Sequence, residues 1–404
     1  MVKIHVDKVV NDLYVLRVDD DRVRYFEALW YIPEGITYNA YLLASEDRIV
    51  LFDTWKHVYA DLFVDTLRNI VEPNSIDFIV LHHLEPDHSG SLPKLLEANK
   101  YQATILAHPL AKNMIESFYG ISPKFKPLRD GESLNVGKYN LRFTYTPWLH
   151  WPETIMTYIS ELKTLLTCDA FGGFSIPPTL YDIDEDFIRE YLDYAKKYVI
   201  TIVGHYKDYI VKNIDKLISQ ELDIRVIAPA HGLIWKQNPK LILEKYREWA
   251  LGEPIDRKVV VIYSSMYGFV ENAISILVDE LVKNGIKVRI HRFNDTEYSS
   301  LADVLSDIVD ASAIVLGMAT YEADIFPYMD YVIAEMVKKA SFRKPVVIVS
   351  SYGWGGIAGK KVSNTLNSAG YEVIDVVEFK GLVKEDTRES LKNAARKLVE
   401  RLKA

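Results

Sequence analysis

Residues 82–90 of the chain read His-His-Leu-Glu-Pro-Asp-His-Ser-Gly, directly after the apolar run Phe78–Leu81. The run has the length and composition of a buried strand. The segment that follows it carries four candidate metal ligands in six positions: His83, Glu85, Asp87 and His88. A loop that begins where a strand ends holds its side chains at a fixed edge of the sheet. We therefore predict that these four side chains face a common point.

Three further candidate ligands lie at predicted strand ends or in loops: His150, Asp169 and His231. The seven side chains together offer four imidazoles and three carboxylates. Such a set supplies two divalent metal ions with four or five ligands each when one carboxylate is shared. Consecutive strand residues point to opposite faces, so at most one of His82 and His83 can face the metals. Structural roles are expected for the remaining histidines: His5, His57, His82, His108, His205 and His291.

The sequence around this segment predicts a layered α/β fold. Strands are predicted at Tyr14–Val18, Tyr38–Leu43, Ile49–Asp53, Phe78–Leu81, Thr104–Ala107, Leu141–Thr146, Met156–Ile159, Thr164–Cys168 and Val226–Ala228. Helices are predicted at Val58–Ile70, Leu92–Ala98, Ala111–Tyr119, Phe187–Ile202, Tyr209–Leu222 and Pro239–Leu251. Strands at both ends with helices between them are typical of two mixed sheets sandwiched by helices.

The pattern changes after the Gly- and Pro-containing segment 252–256, and we place a domain boundary there, with domains at residues 1–253 and 254–404. Five buried-type strands follow, each with a helix after it: Lys258–Tyr263, Val288–Phe293, Ala313–Gly317, Val346–Ser350 and Glu372–Val376. Five such units predict a doubly wound parallel sheet of five strands.

Three loops of this second domain predict a binding site for a phosphate and a flat ring. Backbone amides at the first strand-to-helix turn cradle a phosphate. The three loops meet at the switch point of a doubly wound sheet, where aromatic side chains flank a ring. The alternative is that the aromatic residues only cap the sheet. The candidate binding residues are Ser264, Ser265, Met266, Tyr267, Gly268, Phe269, Thr320, Tyr321, Ser351, Tyr352, Gly353, Trp354 and Gly355.

Composition narrows the functional class. The 404 residues carry a formal net charge of -8, which argues against nucleic-acid partners and anionic membrane surfaces. No apolar run reaches the ~18 residues of a membrane helix, and we expect a cytoplasmic protein. Cys168 is the single cysteine, so the chain has no internal disulfide and no Cys-x-x-Cys pair for a rubredoxin-type iron. An electron carrier of that type must therefore be a separate protein.

The ligand spacing resembles that of the metallo-β-lactamase superfamily, whose motif His-x-His-x-Asp-His is followed by His, Asp and His at later strand ends. Here Glu85 replaces the second histidine, as in flavodiiron proteins. This resemblance implies one iron on His83, Glu85, His150 and Asp169, and a second iron on Asp87, His88, Asp169 and His231. An anionic oxygen ligand favours iron over zinc. Asp53 resembles the superfamily's acid that orients a ligand histidine.

The whole chain resembles a two-domain flavodiiron protein, in which an αββα metallo-β-lactamase-like domain precedes a flavodoxin-like domain. The resemblance implies FMN and two non-haem irons, and the reduction of dioxygen to water, of nitric oxide to nitrous oxide, or of both. It also implies a rubredoxin or rubredoxin reductase system as electron donor, with deazaflavin as the methanogen variant, and a head-to-tail homodimer or a dimer of dimers. One departure is Val270, where flavodoxins usually have Thr or Ser, so one hydroxyl contact to FMN is expected to be lost.

Two other functions are compatible with parts of the sequence. The first is a di-zinc hydrolase with a flavodoxin-like appendage, against which Glu85 and the flavin loops count. The second is a non-catalytic flavin electron carrier whose first domain is vestigial. A vestigial site would not be expected to keep seven ligands.

Overall fold

The computed structural model describes residues 2–403, which fold into two compact units. Unit 1 contains the residues up to Tyr198 together with Asp208–Arg247, and unit 2 contains Val199–Lys207 and the residues from Glu248 onward. The domain limits 1–253 and 254–404 remain a prediction. Within residues 2–403, no helix has the combined length and apolarity needed to cross a membrane.

Unit 1 is built on two mixed β-sheets. The first sheet has the order β1-β2-β5-β6-β7-β8-β9 and contains β1 (Lys3–Val10), β2 (Leu13–Asp20), β5 (Ile36–Ala44), β6 (Ile49–Phe52), β7 (Phe78–Leu81), β8 (Thr104–Ala107) and β9 (Phe125–Pro127). The second sheet has the order β10-β11-β12-β13-β14 and contains β10 (Ser133–Val136), β11 (Tyr139–Tyr145), β12 (Ile155–Ile159), β13 (Thr164–Cys168) and β14 (Val226–Pro229). A small separate hairpin pairs β3 (Tyr25–Phe26) with β4 (Trp30–Tyr31).

The core of unit 1 lies between the two sheets. Val15 and Phe52 of the first sheet and Leu141 and Leu166 of the second belong to one buried apolar cluster. Two sheets that bury their facing sides in this way form a sandwich. The helices of the unit are α1 (Ala60–Arg68), α2 (Pro86–Ser89), α3 (Leu92–Ala98), α4 (Ala111–Tyr119), α5 (Glu185–Tyr198), α6 (Lys207–Ser219) from its second residue onward, and α7 (Pro239–Leu251) as far as Arg247. The predicted metallo-β-lactamase-like fold of mixed sheets and helices is confirmed.

Strand β7 positions the ligand-bearing segment 82–90. It pairs in parallel with β6 on one side and β8 on the other, and Ile79, Val80 and Leu81 are buried. A strand enclosed in this way is apolar on both faces. The chain then turns at Glu85 into the four-residue helix α2, whose first residue is Pro86. Proline suits this position because the first helical amide has no intrahelical partner. Helix α2 was not predicted from the sequence.

Unit 2 contains a doubly wound parallel sheet with the order β16-β15-β17-β19-β20. Its strands are β15 (Lys258–Ser264), β16 (Lys287–Phe293), β17 (Ala313–Tyr321), β19 (Pro345–Tyr352) and β20 (Glu372–Lys380), and the short β18 (Asp324–Ile325) pairs antiparallel with β17. The helices are α8 (Phe269–Lys283), α9 (Leu301–Val309), α10 (Pro327–Lys339), α11 (Ala358–Ser368) and α12 (Glu385–Arg401). The five parallel strands, each followed by a helix, confirm the predicted flavodoxin-like sheet.

The core of unit 2 joins the sheet to its helices. Val261 of β15 and Val347 of β19 pack in one cluster with Ile274 and Leu277 of α8. The apolar side of this helix is therefore the face that contacts the sheet. Val270 also belongs to the cluster and is 2% exposed, which explains the apolar residue at this position.

Candidate metal and flavin sites

The seven predicted ligands lie together in unit 1, mostly where strands end. His83 and Glu85 follow β7, Asp87 and His88 lie on α2, and His150 lies in the loop between β11 and β12. Asp169 follows β13 and His231 follows β14, and these two strands are parallel neighbours. The ligand atoms form two compact groups, each with all its members within 4.8 Å of one another: His83, Glu85, His150 and Asp169, and then Asp87, His88 and His231.

Asp169 lies between the two groups. Its Oδ1 is 3.0 Å from Nε2 of His88 and 3.2 Å from Nε2 of His231. Its Oδ2 is 3.6 Å from Nε2 of His83 and 3.8 Å from Nε2 of His150. Each carboxylate oxygen therefore faces a different pair of imidazoles. This is the arrangement that a carboxylate shared by two metal ions requires.

Several buried polar atoms of the cluster have no hydrogen-bond partner within residues 2–403. They are both carboxylate oxygens of Asp87, Oδ2 of Asp169 and Nε2 of His231. Buried polar atoms are almost always satisfied, and an unsatisfied carboxylate costs several kcal/mol. Two bound cations would satisfy these atoms at once. The donor set of four nitrogens and three carboxylates therefore fits a pair of metal ions.

The electrostatics of the cluster point the same way. Burial acts to lower the pKa of His88, but the charges of Asp87 and Asp169 outweigh it and raise the pKa to about 9. Burial acts to raise the pKa of Asp169, but His88 and His231 lower it well below its usual range. Burial and the charge of Glu85 raise the pKa of Asp87, although His88 opposes this shift. The buried carboxylates thus attract positive charge, supplied by protons when no metal is bound.

Two groups that the sequence analysis missed hold ligand side chains in place. Nδ1 of His83 lies 2.7 Å from Oε1 of Glu153, and the hydroxyl of Tyr198 donates to Oδ1 of Asp169 at 2.7 Å. A backbone group acts in the same way, because Nδ1 of His231 donates to the carbonyl of Thr37, also at 2.7 Å. Such contacts fix the orientation of a ligand. The only feature of the neighbouring sequence that indicates this role for Glu153 is its position shortly after the candidate ligand His150.

The expectation that Asp53 orients a ligand histidine is wrong. Its carboxylate accepts hydrogen bonds from the backbone amide of His82 at 2.8 Å and from Nδ1 of the same residue at 2.6 Å. Nε2 of His82 contacts Oγ1 of Thr157 at 2.8 Å, so this imidazole is satisfied without a metal. His82 and His83 turn to opposite faces, as predicted, and Asp53 lies on the side of His82. His5 and His291 are likewise paired with Asp19 and Asp307.

The first loop of unit 2 provides a phosphate-binding turn. Ser264 ends β15, its hydroxyl is buried, and it has no partner within the described residues. Ser265 Oγ accepts from the backbone amides of Gly268 at 3.2 Å and Glu271 at 3.4 Å, which closes the turn. Gly268 has φ +80°, a conformation that glycine adopts without strain, and α8 begins at the next residue. The first amides of this helix have no intrahelical partner and suit an anion.

The other two predicted loops line a cavity of about 230 Å³. The residues around it are Thr320, Glu322, Ala323, Gly353, Trp354, Gly355, Gly356 and Ile357. Thr320 Oγ1 accepts from the amides of Ile357 and Ala358, both at 3.2 Å, and so connects the loops. Trp354 is 92% exposed and Tyr267 is 81% exposed. Large aromatic side chains left this open are suited to cover a flat ring.

The remaining predicted flavin residues lie at the same edge of the sheet. Ser351 is buried and Tyr352 half-buried at the end of β19, and Tyr321 ends β17 with 38% of its surface exposed. Gly353 and Gly355 have open space around them, with no atom within 4 Å of an added Cβ. The orphaned Ser264 hydroxyl, the open glycines and the exposed rings fit a phosphorylated flavin.

Two family models match the chain. The ODP family beta lactamase model matches residues 36–232, and the flavodoxin model matches residues 261–398. The nitric oxide reductase of Moorella thermoacetica is 31% identical over 370 residues, which cover 91% of this chain and 90% of that protein. The rubredoxin-oxygen oxidoreductase of Megalodesulfovibrio gigas is 28% identical over 400 residues, which cover 98% of each chain.

Solved structures resemble the chain over its whole length. A histidine-to-aspartate mutant of the flavo di-iron protein from Thermotoga maritima is 40% identical with a TM-score of 0.95, and the match covers 100% of both chains. The rubredoxin oxygen:oxidoreductase from Desulfovibrio gigas is 27% identical with a TM-score of 0.93, and the match covers 99% of both chains.

Proposed function

The chain belongs to the flavodiiron proteins, and from this membership we propose which residues perform its reaction. The protein is an oxidoreductase that passes electrons through FMN to a non-haem di-iron site, where dioxygen is reduced to water, nitric oxide to nitrous oxide, or both. We assign the two irons to the seven side chains of unit 1 and FMN to the three loops of unit 2. The position of Asp169 between the two ligand groups is the observation that carries the assignment.

One iron is assigned to the group of His83, Glu85 and His150, and the other to the group of Asp87, His88 and His231. Asp169 would supply one oxygen to each. When bound, the two irons and the flavin together store the several electrons that these reductions need. The three carboxylates balance most of the positive charge of the pair, so that the buried site stays close to neutral.

The side chains around the ligands leave one direction open. Glu85 is 16% exposed, while the other six ligand side chains are 8% exposed or less. The indole ring of Trp151 packs edge-to-face on His83 with centroids 4.8 Å apart, and the ring of Phe118 lies beyond it. A small diatomic substrate would therefore reach bound metals on the side of Glu85, and the aromatic rings exclude bulk water from His83.

The FMN phosphate is assigned to the turn Ser264–Phe269, with the Ser264 hydroxyl and the first amides of α8 as donors. The isoalloxazine ring is assigned to the cavity beside Thr320, between Tyr321 and Tyr352 with Trp354 as a cover. Val270 is turned into the core of unit 2, and we propose that it makes no phosphate contact.

The electrons come from a redox partner, because the only cysteine of the chain, Cys168, is buried and cannot form a rubredoxin-type site alone. Relatives named rubredoxin-oxygen oxidoreductase and flavorubredoxin support a rubredoxin or a rubredoxin reductase system as this partner. We propose that the protein works in the cytoplasm.

The proposed assembly is a head-to-tail homodimer, alone or as a dimer of dimers. The metal ligands belong to unit 1 and the flavin loops to unit 2, whereas electron transfer needs the two centres close together. A closed two-fold dimer can place the flavin of one chain beside the metals of the other. We propose this arrangement as the active form.

Mixed dimers test it. His150→Ala damages the metal site, and Gly353→Trp fills the open space of the flavin cavity. A purified heterodimer of these inactive variants regains one working pair of centres if electrons cross between chains. A heterodimer with no oxygen or nitric oxide reduction, beside an active heterodimer of wild type and His150→Ala, would contradict the trans arrangement.

The assignment as a whole is tested by metal and flavin analysis combined with turnover. We expect about two irons and one FMN per chain, and reduction of dioxygen or nitric oxide by the iron-loaded protein only. A colourless protein that holds two zincs after expression in ample iron, and that hydrolyses esters or amides, would support the di-zinc hydrolase instead.

A further inference from the structure

Glu153 makes a contact that distinguishes one metal position from the other. Its Oε1 accepts hydrogen bonds from Nδ1 of His83 at 2.7 Å and from the backbone amide of Leu84 at 3.2 Å. The side chains of Glu153 and His83 are both 0% exposed. The second oxygen of Glu153 is buried and accepts no hydrogen bond within residues 2–403. The carboxylate is therefore committed to His83 and its neighbour.

This contact fixes which ring nitrogen of His83 faces the metals. Because Nδ1 carries the donated proton, Nε2 presents its lone pair to the first ligand group. Nε2 lies 3.4 Å from Oε2 of Glu85 and 3.6 Å from Oδ2 of Asp169. Trp151 packs against the same ring, so the imidazole has little freedom to turn.

The second ligand group has a different support. Nδ1 of His231 donates to the backbone carbonyl of Thr37, which is neutral. A carboxylate makes an imidazole a stronger electron donor than a carbonyl does, because its negative charge is shared through the hydrogen bond. His83 therefore donates its Nδ1 proton to a buried, charged carboxylate, whereas His231 donates its Nδ1 proton to a neutral carbonyl.

We infer that Glu153 is a positioning residue that makes the metal site of His83, Glu85 and His150 the tighter and the more easily oxidised of the two. Glu153 acts through His83 and does not touch the metal. The inference rests on the proposed function, since it requires two metals in the seven-ligand cluster.

The variant Glu153→Gln tests this role, since it keeps the size of the side chain and removes its charge. Anaerobic chelator competition with Fe²⁺ measures both metal equivalents, and an EPR-monitored redox titration measures the two iron potentials. We expect one equivalent to weaken by about 10- to 100-fold and the other to change little. The first iron to be oxidised should also have a higher reduction potential, which lost packing alone would not produce.

Asp53→Asn is the matched control, because Asp53 accepts a hydrogen bond from Nδ1 of a histidine, His82, as Glu153 does from His83. Nε2 of His82, however, contacts Thr157 and not the ligand cluster. It should change stability and leave the ratio of the two metal affinities as in wild type. If Glu153→Gln does not fold, Glu153→Asp replaces it, since the shorter side chain withdraws the oxygen from Nδ1 and must weaken the same equivalent.

A folded Glu153 variant whose two metal affinities and two iron potentials are the same as those of wild type would overturn the inference. A wild-type protein that binds fewer than two metals would instead contradict the proposed function. The two failures are therefore distinguishable in one set of titrations.

Discussion

Replacing Asp169 by asparagine should remove both metals, whereas replacing any other ligand should remove mainly one. Asp169 supplies one oxygen to each group, with Oδ1 3.0 Å from Nε2 of His88 and Oδ2 3.6 Å from Nε2 of His83. Asparagine has the same shape but no charge, and it offers only one oxygen. Its NH₂ group would face one pair of imidazoles as a donor and not as a ligand.

The size of the effect follows from the binding energy per ligand. A structural metal held by four protein ligands is bound with about 10–16 kcal/mol, or roughly 2.5–4 kcal/mol for each ligand. At about 1.4 kcal/mol per tenfold change, loss of a ligand costs roughly two to three orders of magnitude in affinity. For Asp169→Asn one position loses its oxygen ligand outright and the other keeps only a neutral oxygen in place of a charged one, so both metal affinities fall. For His150→Ala and Asp87→Asn the loss applies at one position.

The assay is metal analysis after anaerobic dialysis against a chelator whose affinity lies between those of the wild-type and variant sites. We expect about two metals per wild-type chain, about one for His150→Ala and for Asp87→Asn, and close to none for Asp169→Asn. An Asp169→Asn protein that keeps both metals, or that loses only one, would refute the shared-carboxylate geometry.

Three further outcomes are expected. Glu85→His should shift metal preference from iron to zinc and abolish reductase turnover, because it restores a nitrogen donor of the hydrolytic ligand set. Competition between the two metals measures this preference, and a variant that keeps iron and full activity would contradict the role of Glu85 as a ligand. As the pH falls below 9, metal affinity should fall by about tenfold per pH unit for each displaced proton, because the metal must displace the proton of His88, whose pKa is raised to about 9. A metal affinity that stays constant from pH 6 to 9 would contradict this. Burial lowers the pKa of Lys344 to about 7 from 10.5, so the unfolded chain binds more protons between these values and the free energy of unfolding should rise with pH there by up to ~1.4 kcal/mol per unit. Denaturant unfolding should show that the free energy of unfolding of wild type minus that of Lys344→Met rises over this pH range, because groups such as His88 titrate in both proteins and cancel; parallel profiles would contradict the lowered pKa of Lys344.

The sequence predicted the elements with strong patterns and missed those without one. The apolar runs at Phe78–Leu81 and Lys258–Ser264 are strands, and the stripe on α8 faces the sheet, because central elements bury continuous apolar surface. Strand β1 (Lys3–Val10) was missed because it lies at the edge of its sheet, where most of its residues are exposed or half-buried. Helix α2 is a single turn, which is too short to show a helical period.

The candidate site was likewise predictable from the sequence only in part. The seven candidate ligands could be named because histidines and carboxylates at strand ends follow a recognisable spacing. Glu153 could not, since it is 70 positions from His83 and meets it only when the two sheets face each other. The error over Asp53 has a related cause. His82 and His83 are adjacent in the sequence, yet their side chains face opposite sides, and only the fold shows which side Asp53 occupies.

Rapid mixing of the reduced protein with its substrates tests the central claim most directly. The protein is loaded with FMN and either iron or zinc, reduced without oxygen, and mixed with dioxygen or nitric oxide while flavin absorbance is followed. If the seven-ligand cluster is the di-iron centre that receives electrons from FMN, flavin in the iron-loaded protein is reoxidised much faster than in the zinc-loaded protein, and His150→Ala removes the difference. Equal flavin reoxidation rates with iron and with zinc would contradict it.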